Sequence, residues 1–511
     1  MSINNNTIKL FGKLEDQNRA ITFDEITIED KPSEIHPNDI IVKTKLTKNI
    51  TLNIPIISSC MDTVTGGDMA LAMAKNGGVG IIHRNMSTDE QVNIIKWVRN
   101  KIHNGGMIEK PITFSVSHKV SDIHNSIKAN GWSFTNFPIL DKDKLVGMVS
   151  RNELEFVEDD DPFLTDIMIP LERLVVADKH ETDIYNIMKK NKVKKLPVID
   201  NNNVFVGMYT WNDITKDNKS KSCYSLDNSG RFLVGAAIGV GDMEKNRVKL
   251  LANADCRLLV IDTSHGACKA VKDMLYFIKD NYPIIDVIVG NVASYDSTMY
   301  LLSGKYVPDA IRCGISVGSI CTTRRVTGHG MPQLTAIYNV WKALYTMNMT
   351  DIPIIADGGI RYSGDIVKAL SVGASTVMLG SVLAGTDESP GNIVISNGHK
   401  YKMVRGMGSR SAMEQRDGQG SRGRYFSNNN NIQLTINQKK KIVPEGIEGL
   451  TKYRGSVNSV LYNLVGGIKV GLGHSGAKDI TEFRETVKIW IQSTAGIIEA
   501  EPHDLHKIID N

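Results

Sequence analysis

Gly318-Ser319-Ile320-Cys321-Thr322-Thr323-Arg324 puts a cysteine, a glycine and three hydroxyls on one short loop between an apolar run and a helix-like segment. Free cysteines are mostly small buried hydrophobes, so it is position that makes Cys321 a candidate nucleophile. The run Ala310 to Ile315 reads as a buried strand, which sets Cys321 just beyond a strand end, where α/β proteins keep their chemistry. Arg324 and Arg325 follow directly, and a nearby cation lowers a thiol pKa toward the reactive thiolate. Cys313, inside the strand, reads as core.

Three further stretches are rich in glycine: Ala356-Asp357-Gly358-Gly359-Ile360, Leu379-Gly380-Ser381 and Arg405-Gly406-Met407-Gly408-Ser409. Glycines let backbone N–H groups approach a phosphate closely, and a helix N-terminus favours an anion. Together they predict a phosphate-bearing substrate, with Asp357 accepting from ribose hydroxyls. Asp262-Thr263-Ser264-His265-Gly266 and Val289-Gly290-Asn291 offer a carboxylate, hydroxyls and an amide suited to a second polar ligand. His265 reads either as a base or, beside a glycine, as structural. No G-x-G-x-x-G opens a strand-to-helix turn, so a dinucleotide must bind without a Rossmann fold.

The elements that position these residues follow from the apolar runs. Eight read as strands: Ile54 to Ser59, Gly78 to His83, Phe232 to Gly239, Arg257 to Asp262, Asp286 to Asn291, Ala310 to Ile315, Ile352 to Gly359 and Thr376 to Ser381. Helix-like segments such as Asp242 to Ala252 and Pro332 to Tyr345 separate them. Continuous apolar runs alternating with helices predict an α/β fold, a (β/α)8 TIM barrel whose active site lies at the C-terminal strand ends.

About 150 residues intervene between the second and third runs, so a domain is inserted there. Within it Phe137 to Asp141 and Val146 to Ser150 recur as Leu196 to Asp200 and Val206 to Thr210, an offset of 59 to 60 residues. The order of strand, turn, Gly-containing strand and acidic residue resembles the CBS module, whose pairs bind purine nucleotides; a docking or oligomerisation domain without a ligand is the alternative. The expected boundaries are 1–108 and 221–511 for the barrel and 109–220 for the insert, with repeats at about 109–163 and 164–220. The Gly- and Arg-rich segment from Gly408 to Phe426 reads as a lid, within a mobile flap at about 404–445.

Composition excludes several classes. The chain has 511 residues, 41% hydrophobic and 23% charged, and a formal net charge of +4, too small to make nucleic acid or a membrane the main partner. No apolar run is long enough to span a bilayer, and the start Met1-Ser2-Ile3-Asn4 lacks the apolar core of a signal peptide. Six cysteines without a C-x-x-C pair argue against a disulfide framework and a structural zinc site. The expectation is a cytoplasmic protein.

Taken with Ser58-Ser59-Cys60-Met61-Asp62-Thr63-Val64, Arg424-Tyr425-Phe426 and Val443-Pro444-Glu445-Gly446, the ordered motifs resemble the IMP dehydrogenase family along nearly the full length. The resemblance implies oxidation of IMP to XMP with NAD as hydride acceptor, through a thioimidate on Cys321 that water hydrolyses. By motif, Ser59, Met61, Ser319, Asp357, Gly358, Gly359, Gly380, Ser381, Gly406, Met407, Gly408 and Glu445 would hold IMP. Asp262, Ser264, Asn291, Gly314 and Thr323 would face NAD. Arg424 is the matched candidate for activating water, with Tyr425 or Thr323 sharing the role because guanidinium holds its proton far above neutral pH. The resemblance also implies a homotetramer and potassium or another monovalent cation, bound by backbone carbonyls of Ser316, Gly318 and Cys321 and of a neighbouring subunit's Glu499, Ala500 and Glu501.

The chain departs from the family pattern at three places. Ser316 stands where a glycine is usual, and is strained if the position needs φ > 0. Val404 replaces a common phosphate-binding tyrosine, and Cys60 a proline or alanine. GMP reductase shares the barrel and the cysteine; it commonly lacks the insert and the Arg-Tyr pair and carries an acidic residue near Arg410.

Overall fold

The computed structural model describes residues 3–101, 107–108, 111–130, 135–157, 161–179, 181, 183–211, 214, 223–414 and 443–502. The chain forms two compact units, one made of Met1–Val98, Cys223–Ser225 and Leu233–Asn511, the other of Arg99–Ser222 and Leu226–Phe232.

In the first unit eight parallel strands close into a barrel: Ile56–Ser58, Val79–Ile82, Gly235–Ile238, Leu258–Asp262, Asp286–Val292, Ala310–Cys313, Ile354–Asp357 and Thr376–Leu379. Each pairs with the next along the chain, and the eighth returns to the first through Val377↔Ile56. All eight expected runs are present. Seven are shorter than the apolar patterns, Phe232 to Gly239 contributing only Gly235–Ile238, and the fifth runs one residue longer, to Val292. Both faces of these strands are covered, which is why they read as unbroken apolar runs.

Inside the barrel Ile57, Val79, Ile81, Ala237, Leu258, Val260, Ile288, Ala310, Ile355 and Met378 pack together, all essentially inaccessible. Burying each large aliphatic side chain stabilises the fold by about 1.5–3 kcal/mol. The outer helices keep one apolar stripe inward; in Lys269–Asn281 the buried Val271, Met274, Leu275 and Ile278 recur at helical spacing.

Beyond the eighth strand, Ile393–Ser396, His399–Arg405 and Glu448–Lys452 form an antiparallel sheet. Lys402 and Val404, two residues apart and so on one face, are both buried. Lys402 Nζ donates to the carbonyls of Thr386 at 2.8 Å and Ser389 at 2.7 Å. Burial pushes its pKa down, and the carbonyls offset the desolvation of the ammonium. This tie joins the segment after the eighth strand to the strand that leads into Gly406.

The second unit carries its repeat in three dimensions. Phe137–Asp141 pairs antiparallel with Lys144–Val149, and Lys195–Ile199 with Phe205–Thr210. The register slips between Ile139 and Leu140 in the first hairpin, and at the corresponding Val198 and Ile199 in the second. Each hairpin also gains a parallel neighbour, Phe114–Ser115 or Ala177–Asp178. Each packs its own apolar cluster, one around Ile123, Phe137 and Leu164, the other around Met188, Leu196 and Val198.

The start of the expected flap is regular structure. His399–Arg405 is a strand, and Arg410–Glu414 is a helix that buries Ala412 and Met413. Residues 415–442 lie outside the described part, and Arg424 and Tyr425 with them.

Candidate active site

An open cleft of about 730 Å³, solvent at its mouth included, lies at the C-terminal ends of the barrel strands. Cys321 lines it, on the loop between the sixth strand and the helix Thr323–Thr327. Its Sγ is 3.3 Å from Thr323 Oγ1, which donates to Glu445 Oε2 at 2.8 Å. The segment carrying Glu445 is pinned onto the cysteine loop by backbone bonds, Thr322 N–H to Glu445 O and Ile447 N–H to Ile320 O, both 3.0 Å. Thiol, hydroxyl and carboxylate thus form one hydrogen-bonded line opening on the cleft. Arg324 and Arg325 are exposed and do not line it.

Ser59, Met61, Ser264, Asn291 and Gly314 line the same cleft, as do Ser316, Gly318, Asp357, Gly358 and the loop Gly406, Met407, Gly408. Gly314 has φ +137°, and a Cβ there would meet the Asp357 carbonyl at 2.2 Å, so only glycine fits. Gly380 packs on Met61 and Ser59 from behind; it, Gly359, Ser319 and Ser381 are not among the lining residues. The Gly406 loop is held by Arg405, whose Nη2 pairs with Asp62 Oδ2 at 2.6 Å. Glu499 ends the helix Thr494–Glu499, and with Ala500 and Glu501 it lies outside this cleft.

The cleft is also lined by a charged residue from within an apolar run. Arg312, in the middle of the sixth strand and 1% exposed, pairs through Nη1 with Asp262 Oδ1 at 2.6 Å and through Nη2 with Asp357 Oδ2 at 2.9 Å. Burial opposes its charge, but Asp357, Cys60 and Asp262 around it hold the guanidinium well above its ordinary range. Asp262 is 2% exposed, so it underlies the cleft rather than lining it. A charged residue inside Ala310-Ile311-Arg312-Cys313 was the available signal, because Arg is almost never fully buried without partners. Asn291 Nδ2 donates to Asp357 Oδ2 at 2.8 Å and to Gly314 O at 2.7 Å. Among the described residues its Oδ1 is buried without a partner.

Neither Cys313 nor His265 lines the cleft. Cys313 is fully buried, and burial with the Asp357 charge pushes its thiol far up. Exposed His265 lies outside the cleft.

Residues 20–503 match the model of the IMP dehydrogenase / GMP reductase domain. The chain belongs to the IMP dehydrogenase / GMP reductase family. It is 41% identical over 496 residues to inosine-5'-monophosphate dehydrogenase of Halalkalibacterium halodurans, covering 96% of each chain. To the enzyme of the same name from Aquifex aeolicus it is 41% identical over 498 residues, covering 95% of this chain and 96% of that one. Among solved structures of the family, a Cys-to-Ala variant of GMP reductase from Trypanosoma brucei in complex with guanosine 5'-monophosphate superposes with a TM-score of 0.83 at 31% identity. The match covers 95% of this chain and 98% of that one. A GMP reductase therefore spans the length of the insert too, and the insert does not separate the two activities of this family as the sequence reading expected. Among the described residues no helix is long and apolar enough to cross a membrane.

Proposed function

We propose that this chain oxidises IMP to XMP with NAD, through covalent catalysis by Cys321, in the synthesis of guanine nucleotides. The observation that carries the reading is the line Cys321, Thr323, Glu445 opening on a cleft rimmed by glycine loops. The chain is an NAD-dependent oxidoreductase, as its 41%-identical relatives are.

The Cys321 thiolate adds to C2 of the purine, and the C2 hydride leaves with its electron pair to the nicotinamide, which leaves a thioimidate. Water then adds at C2 and loses a proton, and the C–S bond breaks to release XMP and the thiol. Splitting the oxidation in this way replaces one difficult step by two easier ones. Asp357 accepts from the ribose, and the Gly358 and Gly406–Gly408 backbone faces the phosphate; Ser59, Met61, Ser319, Gly359, Gly380, Ser381 and Glu445 complete the proposed IMP set. Glu445, already bonded to Thr323, can take a proton through that hydroxyl. This gives water activation a route besides Arg424 and Tyr425.

NAD, when bound, accepts the hydride. The residues present fit it: the partnerless Asn291 Oδ1 is an acceptor for a carboxamide N–H, Ser264 and Gly314 lie beside it, and Asp262 is fixed below by Arg312. A monovalent cation fits the neutral, hard donor set of the Ser316, Gly318 and Cys321 carbonyls. In a homotetramer, Glu499, Ala500 and Glu501 of a neighbouring subunit would complete the shell. The second unit we read as a CBS pair, a purine-nucleotide site, on the strength of its two hairpins with matching slips.

The test uses the purified full chain with IMP, NAD and potassium. Formation of NADH and XMP in equal amounts is expected. GMP-dependent consumption of NADPH with release of ammonia, and no NADH from IMP, assigns the chain to the reductase branch instead and overturns the proposal.

A further inference from the structure

We propose that Ser316 is a positioning residue, whose side chain closes the Cys321 loop and lowers the loop's dependence on a bound monovalent cation. The inference rests on the cation reading above and concerns a position where this chain departs from its family. Ser316 has φ 60°, the left-handed region that disfavours side chains. Among the described residues the other non-glycine positions there are Asn, Asp or Lys, and of these Ser316 alone lines the cleft. A serine in this conformation implies a compensating contact.

That contact is a bond across the loop. Arg324 N–H donates to Ser316 Oγ at 2.5 Å, spanning eight residues. The donor belongs to the first turn of Thr323–Thr327, where an N–H has no intrahelical acceptor. The local cap residue Thr322 makes no side-chain cap bond, so Ser316 supplies the cap from the far side. The loop is thereby closed at both ends with Cys321 between them, its Sγ 3.9 Å from the same hydroxyl. Within the loop, Gly318 O already accepts Cys321 N–H at 3.1 Å. A cation on the carbonyls of residues 316, 318 and 321 would draw together the stretch of loop that this bond spans. Glycine at 316 has no atom with which to make this bond.

The test compares the full-length wild type with Ser316→Ala and Ser316→Gly, in potassium chloride and in choline chloride of equal ionic strength. The first readout is the rate of Cys321 alkylation by iodoacetamide, assigned by peptide mass spectrometry. The second is the potassium activation of NADH formation. Wild-type alkylation should change little between the salts. Both variants should become potassium-dependent by about fivefold, the change expected for losing one helix-cap bond. Equal salt responses in all three proteins overturn the proposal. So does a glycine variant that behaves as wild type while the alanine variant does not, because backbone strain then explains the effect. The glycine variant relieves that strain, so a folding failure of the alanine variant leaves the comparison intact. Alkylation needs neither IMP nor NAD; a wild type that makes no NADH sinks the activity reading while the tether is still decided.

Discussion

Cys321→Ala abolishes NADH formation from IMP and NAD, with a fall in kcat of at least ~10³-fold, as removal of a nucleophile produces in covalent enzymes. The loss corresponds to about 4 kcal/mol or more of transition-state stabilisation. Without the sulfur no adduct forms at C2, so the hydride has no electron-rich centre to leave from. IMP affinity should change little, because the glycine loops and Asp357 remain. Steady-state assays and an equilibrium IMP titration measure the two quantities separately. Residual NADH formation within tenfold of wild type would rule out the covalent route. Cys313→Ala is the matched control: that thiol is fully buried and held protonated by its surroundings, so the substitution should act on stability alone.

Arg312→Met should be the most damaging single change outside the cysteine loop. It leaves Asp262, 2% exposed, and Asp357 without their shared cation. Removing one partner of a buried ion pair typically costs about 3–5 kcal/mol, because the remaining charge is neither solvated nor paired. Buried Asp262 and half-buried Asp357 then face each other as like charges, which disfavours the charged form of both. Asp357 also loses the guanidinium that fixes its carboxylate at the cleft. The expected result is a drop of several degrees in melting temperature and a fall in kcat/KM of at least ~10²-fold, steeper on the acid side than for wild type. Adding Asp262→Asn should recover part of the stability, since it removes one of the stranded charges. A single variant that melts within ~1 °C of wild type with an unchanged pH profile would show that the guanidinium is not the clamp described here.

These two residues differ in how far the chain announces them. Cys321 was legible because its cues are local: an apolar run, a glycine, then hydroxyls on a loop. Arg312 was hidden within a run read as core, since nothing in a strand's own pattern says which carboxylates will face it. Ser316 lies between these cases. Its departure from glycine raised the question of strain, and the backbone places it at φ 60°, but the Arg324 bond that offsets the strain comes only from the way the loop returns on itself. Within the Gly- and Arg-rich stretch read as a lid, burial of Ala412 and Met413 stabilises a helix over Arg410–Glu414 that composition does not announce, because tertiary packing overrides weak local propensity.

By itself the sequence determined the barrel, the doubled hairpin of the insert and the loop that carries the thiol. Parallel strands covered on both faces must be apolar throughout, and a repeat needs only its own period to be seen. Tertiary structure alone decided the partners: Glu445 on Thr323, 122 residues away in the chain, and Arg312 between Asp262 and Asp357. Closure of the barrel brings the ends of the fourth, sixth and seventh strands onto one rim. Whether a charge there is isolated or paired depends on that closure rather than on any residue's neighbours in sequence.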